Sequence, residues 1–261
     1  MQHRRPWLGQ AVRRYDRPGL PFARALHALV TDPAAEVNTR RAFAELLAPR
    51  DGGEVTKCLL RQFFELDGSE ELYATALVLE SIDEARTVQP LIGALEDGNP
   101  DRRRAAARAL GWMRKACPRA VIPLARLLTD VSQPVAVREE AAESLAYSHS
   151  KAAIPALIST LSDPHVEVRF WSVFALGGAS QFLKPGLPER VAAVEALEAM
   201  LADDSVPPGK WWSVGREALA MLAHYCPPEG QFEDQLAREI RRINDDPSAS
   251  PEDRRWVECY G

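Results

Sequence analysis

Apolar residues recur along this chain at i, i+3, i+4 and i+7 in short bursts, each broken by an Asp-containing turn. That period marks amphipathic helices of two to three turns. Three stretches align without gaps in their logic: TVQPLIGALEDGNPDRRRAAARALG (87–111), AVIPLARLLTDVSQPVAVREEAAESLA (120–146) and AAIPALISTLSDPHVEVRFWSVFALG (152–177). Each reads as an apolar helix, a turn, then a second helix that opens on Arg and closes on Leu. Asp97, Asp130 and Asp163 stand 33 residues apart, and Arg103, Arg138 and Arg169 each precede a leucine by seven.

Fainter copies flank these three. Upstream, residues 22–48 turn at Asp32 and residues 55–82 at Asp67; downstream, residues 193–223 turn at Asp203, and a last helix at 231–244 leads to EDRRWVECY. The pattern predicts an all-α chain of about six to seven helical pairs, in which no pair buries its apolar stripe without its neighbours. The turn Asp is placed to cap the second helix, whose first amides lack partners. Gly111 and Gly177 stand where that helix should end and read as C-caps.

These stretches, above all PALISTLSDPHVEVRFWSVFALG, resemble HEAT repeats of the short bacterial type also found in phycobilisome lyases. The resemblance covers roughly residues 20–225 and implies a right-handed α-solenoid. With the helices that follow, the expected domain is 19–261, and the Arg and Pro content of residues 1–18 reads as a basic arm. The resemblance also implies that the turn Asp and helix Arg form a ladder between repeats, here Asp97, Asp130 and Asp163 with Arg103, Arg138 and Arg169. It further implies that the second helices line a concave face. Its V-R-x-x-A-A-x-A-L-G pattern turns three positions per repeat outward: Arg104, Ala105 and Arg108; then Glu139, Glu140 and Glu143; then Phe170, Trp171 and Phe174. Aligning KWWSV with RFWSV adds Trp211 and Trp212.

The expected groove therefore runs from basic through acidic to aromatic. Five large aromatics at positions that are ordinarily polar read as a binding patch. Coverage within the chain is the competing reading, by the Pro-rich insertion at 181–192 or by Trp256.

Composition narrows the function classes. Hydrophobic residues make up 46% and aromatics only 7%, a small-aliphatic balance that suits packed helices over a sheet. Residues 1–60 carry 10 Lys and Arg against 6 Asp and Glu, whereas 131–261 carry 12 against 20. Cys58, Cys117, Cys226 and Cys259 lie far apart, which predicts neither zinc nor a disulfide framework. With no membrane-length apolar run and no secretory h-region, the expected setting is cytoplasmic.

A non-catalytic scaffold or adaptor that binds another protein is the leading expectation, without cofactor or metal. A DNA-binding HEAT protein like the alkylpurine glycosylases is the second class; the net charge of −5 and the three glutamates argue against it. So does the absence of an Asp or Glu four residues after Trp112, Trp171, Trp211 or Trp212. A bilin-lyase-like enzyme or chaperone is the third. The HEAT-type hydroxylases that modify deoxyhypusine carry His-Glu ligand pairs, and none of the five histidines here precedes a glutamate.

Overall fold

The computed structural model describes residues 28–48, 53–82, 84–113, 118–210, 212–225 and 231–260. The arm at 1–18, Cys117, Cys226 and Trp211 lie outside the described residues. Those described are all helical or loop, with no strand. They fall into two compact units, within Met1–Lys115 and Ala116–Gly261.

The first unit holds α1 (Val37–Leu47), α2 (Glu54–Glu65), α3 (Ser69–Leu79), α4 (Glu84–Ala94) and α5 (Pro100–Gly111). The second holds α6 (Pro118–Thr129), α7 (Val135–Ala146), α8 (Ile154–Ser159), α9 (Val166–Ser180), α10 (Pro188–Ala199), α11 (Val214–Tyr225), α12 (Gln231–Asp245) and α13 (Pro251–Tyr260). Within each unit the chain makes helical pairs that stack in two layers. In the second unit, α6, α8 and α10 form one layer and α7, α9 and α11 the other. This is α-solenoid architecture, as the sequence pattern predicts.

The core follows the apolar stripes. Leu59, Phe63, Leu72, Leu79 and Leu91 are fully buried in the first unit, and Leu128, Leu145, Leu157, Val173 and Leu176 in the second. Helix α9 packs on α7 along one side and α11 along the other. A helix so enclosed needs small residues where backbones converge. A methyl group on Gly177 would lie 2.6 Å from Met221 Sδ, and one on Gly178 would lie 2.8 Å from the Ala146 carbonyl oxygen. Gly177 is thus an interior contact residue of α9 rather than the C-cap expected from its place in the repeat.

The turn aspartates also act differently from expectation. Asp32, Asp97, Asp130, Asp163 and Asp203 each accept a hydrogen bond from the backbone N–H two residues on, at 2.8–3.0 Å. Each therefore closes the corner as an Asx-turn and stops short of the helix it was expected to cap. Other side chains cap second helices instead, among them Glu36 on α1, Asn99 on α5 and Ser213 on α11.

The arginine ladder runs through the second unit. Arg138 is 2% exposed; its Nε donates to the Leu128 carbonyl at 2.9 Å and its Nη2 to Asp163 of the next repeat. Arg169 continues it, with Nε donating to Asp203 Oδ2 at 2.8 Å and Nη1 to the Asp163 carbonyl at 2.8 Å. Burial alone would raise the Asp163 and Asp203 carboxyls, but the guanidinium and backbone donors outweigh it and hold both below the ordinary carboxylate range. Asp130 bonds within its own turn, to Ser132 and Gln133. In the first unit the register slips by one residue. Arg102, not Arg103, reaches Asp97 and the carbonyls of Phe63 and Leu66, while Arg103 donates to its own turn at Asp97 and Gly98.

Removing one partner of a buried ion pair strands the other, at a cost of about 3–5 kcal/mol. Arg138→Met should therefore lower the thermal midpoint of the second unit by roughly 6–20 °C. Arg103→Met, which loses bonds to its own turn only, should cost about 1 kcal/mol. Calorimetry on the two variants checks this, and equal shifts would contradict it.

Candidate interaction surface

Helices α7 and α9 leave adjoining stripes part-exposed in the second unit. On α7 these are Glu139 and Glu143, one turn apart, with Tyr147 just past the helix end. On α9 they are Trp171, Phe174, Gly178 and, past the end, Gln181. Residues at i, i+3, i+7 on one helix share a face, so the α9 stripe lies alongside the α7 one.

The side chains on this surface hold one another in place. Trp171 Nε1 donates to Glu139 Oε1 at 2.8 Å, tying the indole of α9 to α7. The Phe170 and Phe174 rings meet Trp171 edge-to-face at 5.8 Å and 5.5 Å, and Tyr147 meets Phe174 at 6.3 Å. Lys210 sets its Nζ 4.0 Å from the centre of the Trp171 ring. At the far end of the stripe, Tyr147, Phe174, Gly178, Met221 and Tyr225 line a dent of about 70 Å³. That volume suits a short side chain, well below the roughly 300 Å³ at which small-molecule sites begin.

The outward positions expected from the repeat are therefore corrected in part. Glu139, Glu143, Trp171 and Phe174 are part-exposed, but Phe170 and Glu140 are each 4% exposed and point into the stack. Residue 139 faces out and 140 in, whereas 170 faces in and 171 out, a one-residue rotation between neighbouring helices. Arg104 and Arg108 belong to the first unit. There the Arg104 guanidinium lies 5.7 Å from the Tyr73 ring and that of Arg108 lies 3.9 Å from the Trp112 ring. Tyr73, Leu77 and Arg104 line a shallow, open groove of about 450 Å³. Nearby, burial pushes the Glu80 carboxyl up to about 7, against the pull of Arg41 at 2.9 Å and of Arg108.

Trp212 is part of a different assembly. Its Nε1 and the Tyr260 hydroxyl both donate to the Glu217 carboxylate, the latter at 2.9 Å. Trp256 is fully buried beside Tyr260, and Arg216 pairs with Asp253. These contacts dock α13 onto α11, and Arg216 also pairs with Glu239 of α12. The insertion at 181–192 places Phe182, 69% exposed, against His149.

Glu217, Lys210, Tyr147 and Tyr260 were missed in the sequence. Glu217 had a readable signal, since it takes the i+3 place on the apolar stripe Val214–Ala218–Met221. Lys210 had none, because only the fold brings its loop to Trp171. Among the described residues, no cluster of His, Cys, Asp or Glu could hold a metal ion, and no helix is long and apolar enough to cross a membrane.

Burial pushes the Glu217 carboxyl from its ordinary 4.5 up to about 7, against the Trp212 and Tyr260 donors and the Lys210 charge. The folded protein thus holds this proton more tightly than the unfolded chain does. The protonated form contributes stability that is complete below pH 4.5 and is lost as pH rises through about 7. The interval corresponds to about 3 kcal/mol. Denaturant unfolding at pH 5 and pH 8 should show wild type losing about that much more than Glu217→Gln across the interval. Equal losses would refute the assignment.

Against known proteins, the sequence matches HEAT repeats over residues 59–136 and 131–220. Among solved structures, one engineered protein shares 18% identity, covering 92% of this chain and 96% of its own, at a TM-score of 0.42. A second engineered protein also shares 18%, covering 91% of this chain and 67% of its own, at 0.48. A chain from the Kap95p–RanGDP structure shares 14%, covering 97% of this chain and 42% of its own, at 0.46. No curated protein matches the sequence. The repeat match spans more than half of the residues, and the chain belongs to the HEAT-repeat family.

Proposed function

We propose that the protein is a non-catalytic scaffold or adaptor, working in the cytoplasm, that binds another protein along the α7–α9 face. HEAT solenoids commonly serve as protein-interaction scaffolds. The observation that carries the reading to this face is the Trp171 indole, part-exposed yet fixed by Glu139, by two aromatic edges and by Lys210. A large amphipathic ring already ordered loses little entropy when a partner covers it, which is the physical profile of an interface hot spot.

Phe174 extends the apolar surface, and Glu139 and Glu143 form an acidic border one turn apart. Arg104 and Arg108, with their own aromatic backing, form a separate basic surface of the first unit. Phe170 and Glu140 support the face from beneath, and Trp212 supports the helices behind it.

Affinity capture from the source cell tests the proposal. The expected result is one defined partner whose apparent Kd rises at least about 30-fold for Trp171→Ala, Phe174→Ala, the loss of a hot spot of about 2 kcal/mol. The variant's thermal midpoint must stay well above the assay temperature. Unchanged capture by a folded variant would overturn the α7–α9 assignment.

A further inference from the structure

We propose that the Trp171–Glu139 pair is a recognition site for a cationic side chain of the partner, and that Lys210 occupies it until the partner arrives. The inference rests on the α7–α9 reading above and deepens it by stating the partner's chemistry. Three observations carry it.

First, the ring already binds a cation. Lys210 Nζ stands 4.0 Å from the Trp171 ring centre and 5.7 Å from that of Phe170. Among the described residues Lys210 makes no close ion pair, and its ammonium lies over the indole face, within the field of the Glu217 carboxyl. Attraction of that kind comes from the ring quadrupole and is modest at an exposed site.

Second, a carboxylate stands at the edge of the same ring without a cation of its own. Glu139 accepts from Trp171 Nε1 and forms no salt bridge among the described residues. An aromatic face beside a carboxylate is matched by a guanidinium, which can stack on the ring and donate along its edge to the acid. Lys210, a compact ammonium, takes the face alone.

Third, the resident cation sits on a segment able to release it. Lys210 ends the non-helical stretch 203–210, beside Pro208 and Gly209, the latter at φ +74°. Its side chain can leave the ring without breaking a helix. The wider field favours the exchange, because residues 131–261 carry 12 Lys and Arg against 20 Asp and Glu. A partner segment bearing Arg beside an apolar residue would set its guanidinium over Trp171 and the apolar group on Phe174.

The test uses Nα-acetyl-arginine methylamide as probe and the Trp171 indole N–H resonance as readout, with the neutral citrulline analogue as control. The arginine probe should give a saturable shift at millimolar concentration that the citrulline analogue does not. Lys210→Met should tighten the arginine response about two- to five-fold by removing the resident competitor. Glu139→Gln, which keeps an acceptor for the indole, should weaken it at least about three-fold. A dispersed set of indole resonances shows that each variant is folded. Equal responses to arginine and citrulline, or no tightening in Lys210→Met, would overturn the proposal. A partner captured through Trp171 together with a silent arginine titration would overturn the cationic occupant alone. Capture independent of Trp171 would overturn the α7–α9 reading itself.

Discussion

The structure of the second unit depends on two arginines, Arg138 buried and Arg169 part-exposed, that bind forward from one repeat to the next. Arg138 and Arg169 each leave a second helix and end on the turn aspartate of the following pair, Asp163 and Asp203. An unpaired charge in that position would cost several kcal/mol, so the rungs admit one spacing and one rotation of neighbouring helices. Apolar burial supplies most of the driving force, but small aliphatic stripes are forgiving about register. The ion pairs are not. They fix where α9 lies against α7, and that placement brings Trp171 Nε1 to Glu139.

The part-exposed stripe of α9 is set on this constraint in two steps. Gly177 and Gly178 let α9 settle between α11 and α7, which sets its part-exposed stripe beside the acidic stripe of α7. The C-terminal helices then brace α11 from behind through Glu217, Trp212 and Tyr260. The aromatic residues named in the second unit are thereby placed differently. Trp171, Phe174 and Tyr147 remain part-exposed, whereas Trp256 is buried and Trp212 is engaged by Glu217.

The helical pairs were legible in the sequence because period and turn residues are local properties. The 33-residue spacing of Asp97, Asp130 and Asp163 located the corners, and all three stand there. What each aspartate does was less legible, since an Asx-turn and an N-cap place the same residue type within two positions of each other. Helix rotation was not legible at all. A repeat template puts Phe170 and Trp171 equally outward, yet one rung and one close glycine contact turn Phe170 into the core. Contacts distant in sequence, such as Lys210 on Trp171 or Tyr260 on Glu217, arise only from stacking. Trp256 as a covering residue was anticipated in part, though it covers α11 and not the α9 stripe.

The proposed meeting of the α7–α9 face with a protein in the cell is open to a direct test. Site-specific photo-cross-linking tests it most directly, with a photoreactive phenylalanine analogue placed at Phe174 or, separately, at Val131, which is 80% exposed on the α6–α7 turn. A partner seated on this face should give one discrete cross-linked product from position 174 and none from position 131. Cross-linking from 131 alone, or equally from both, would contradict it.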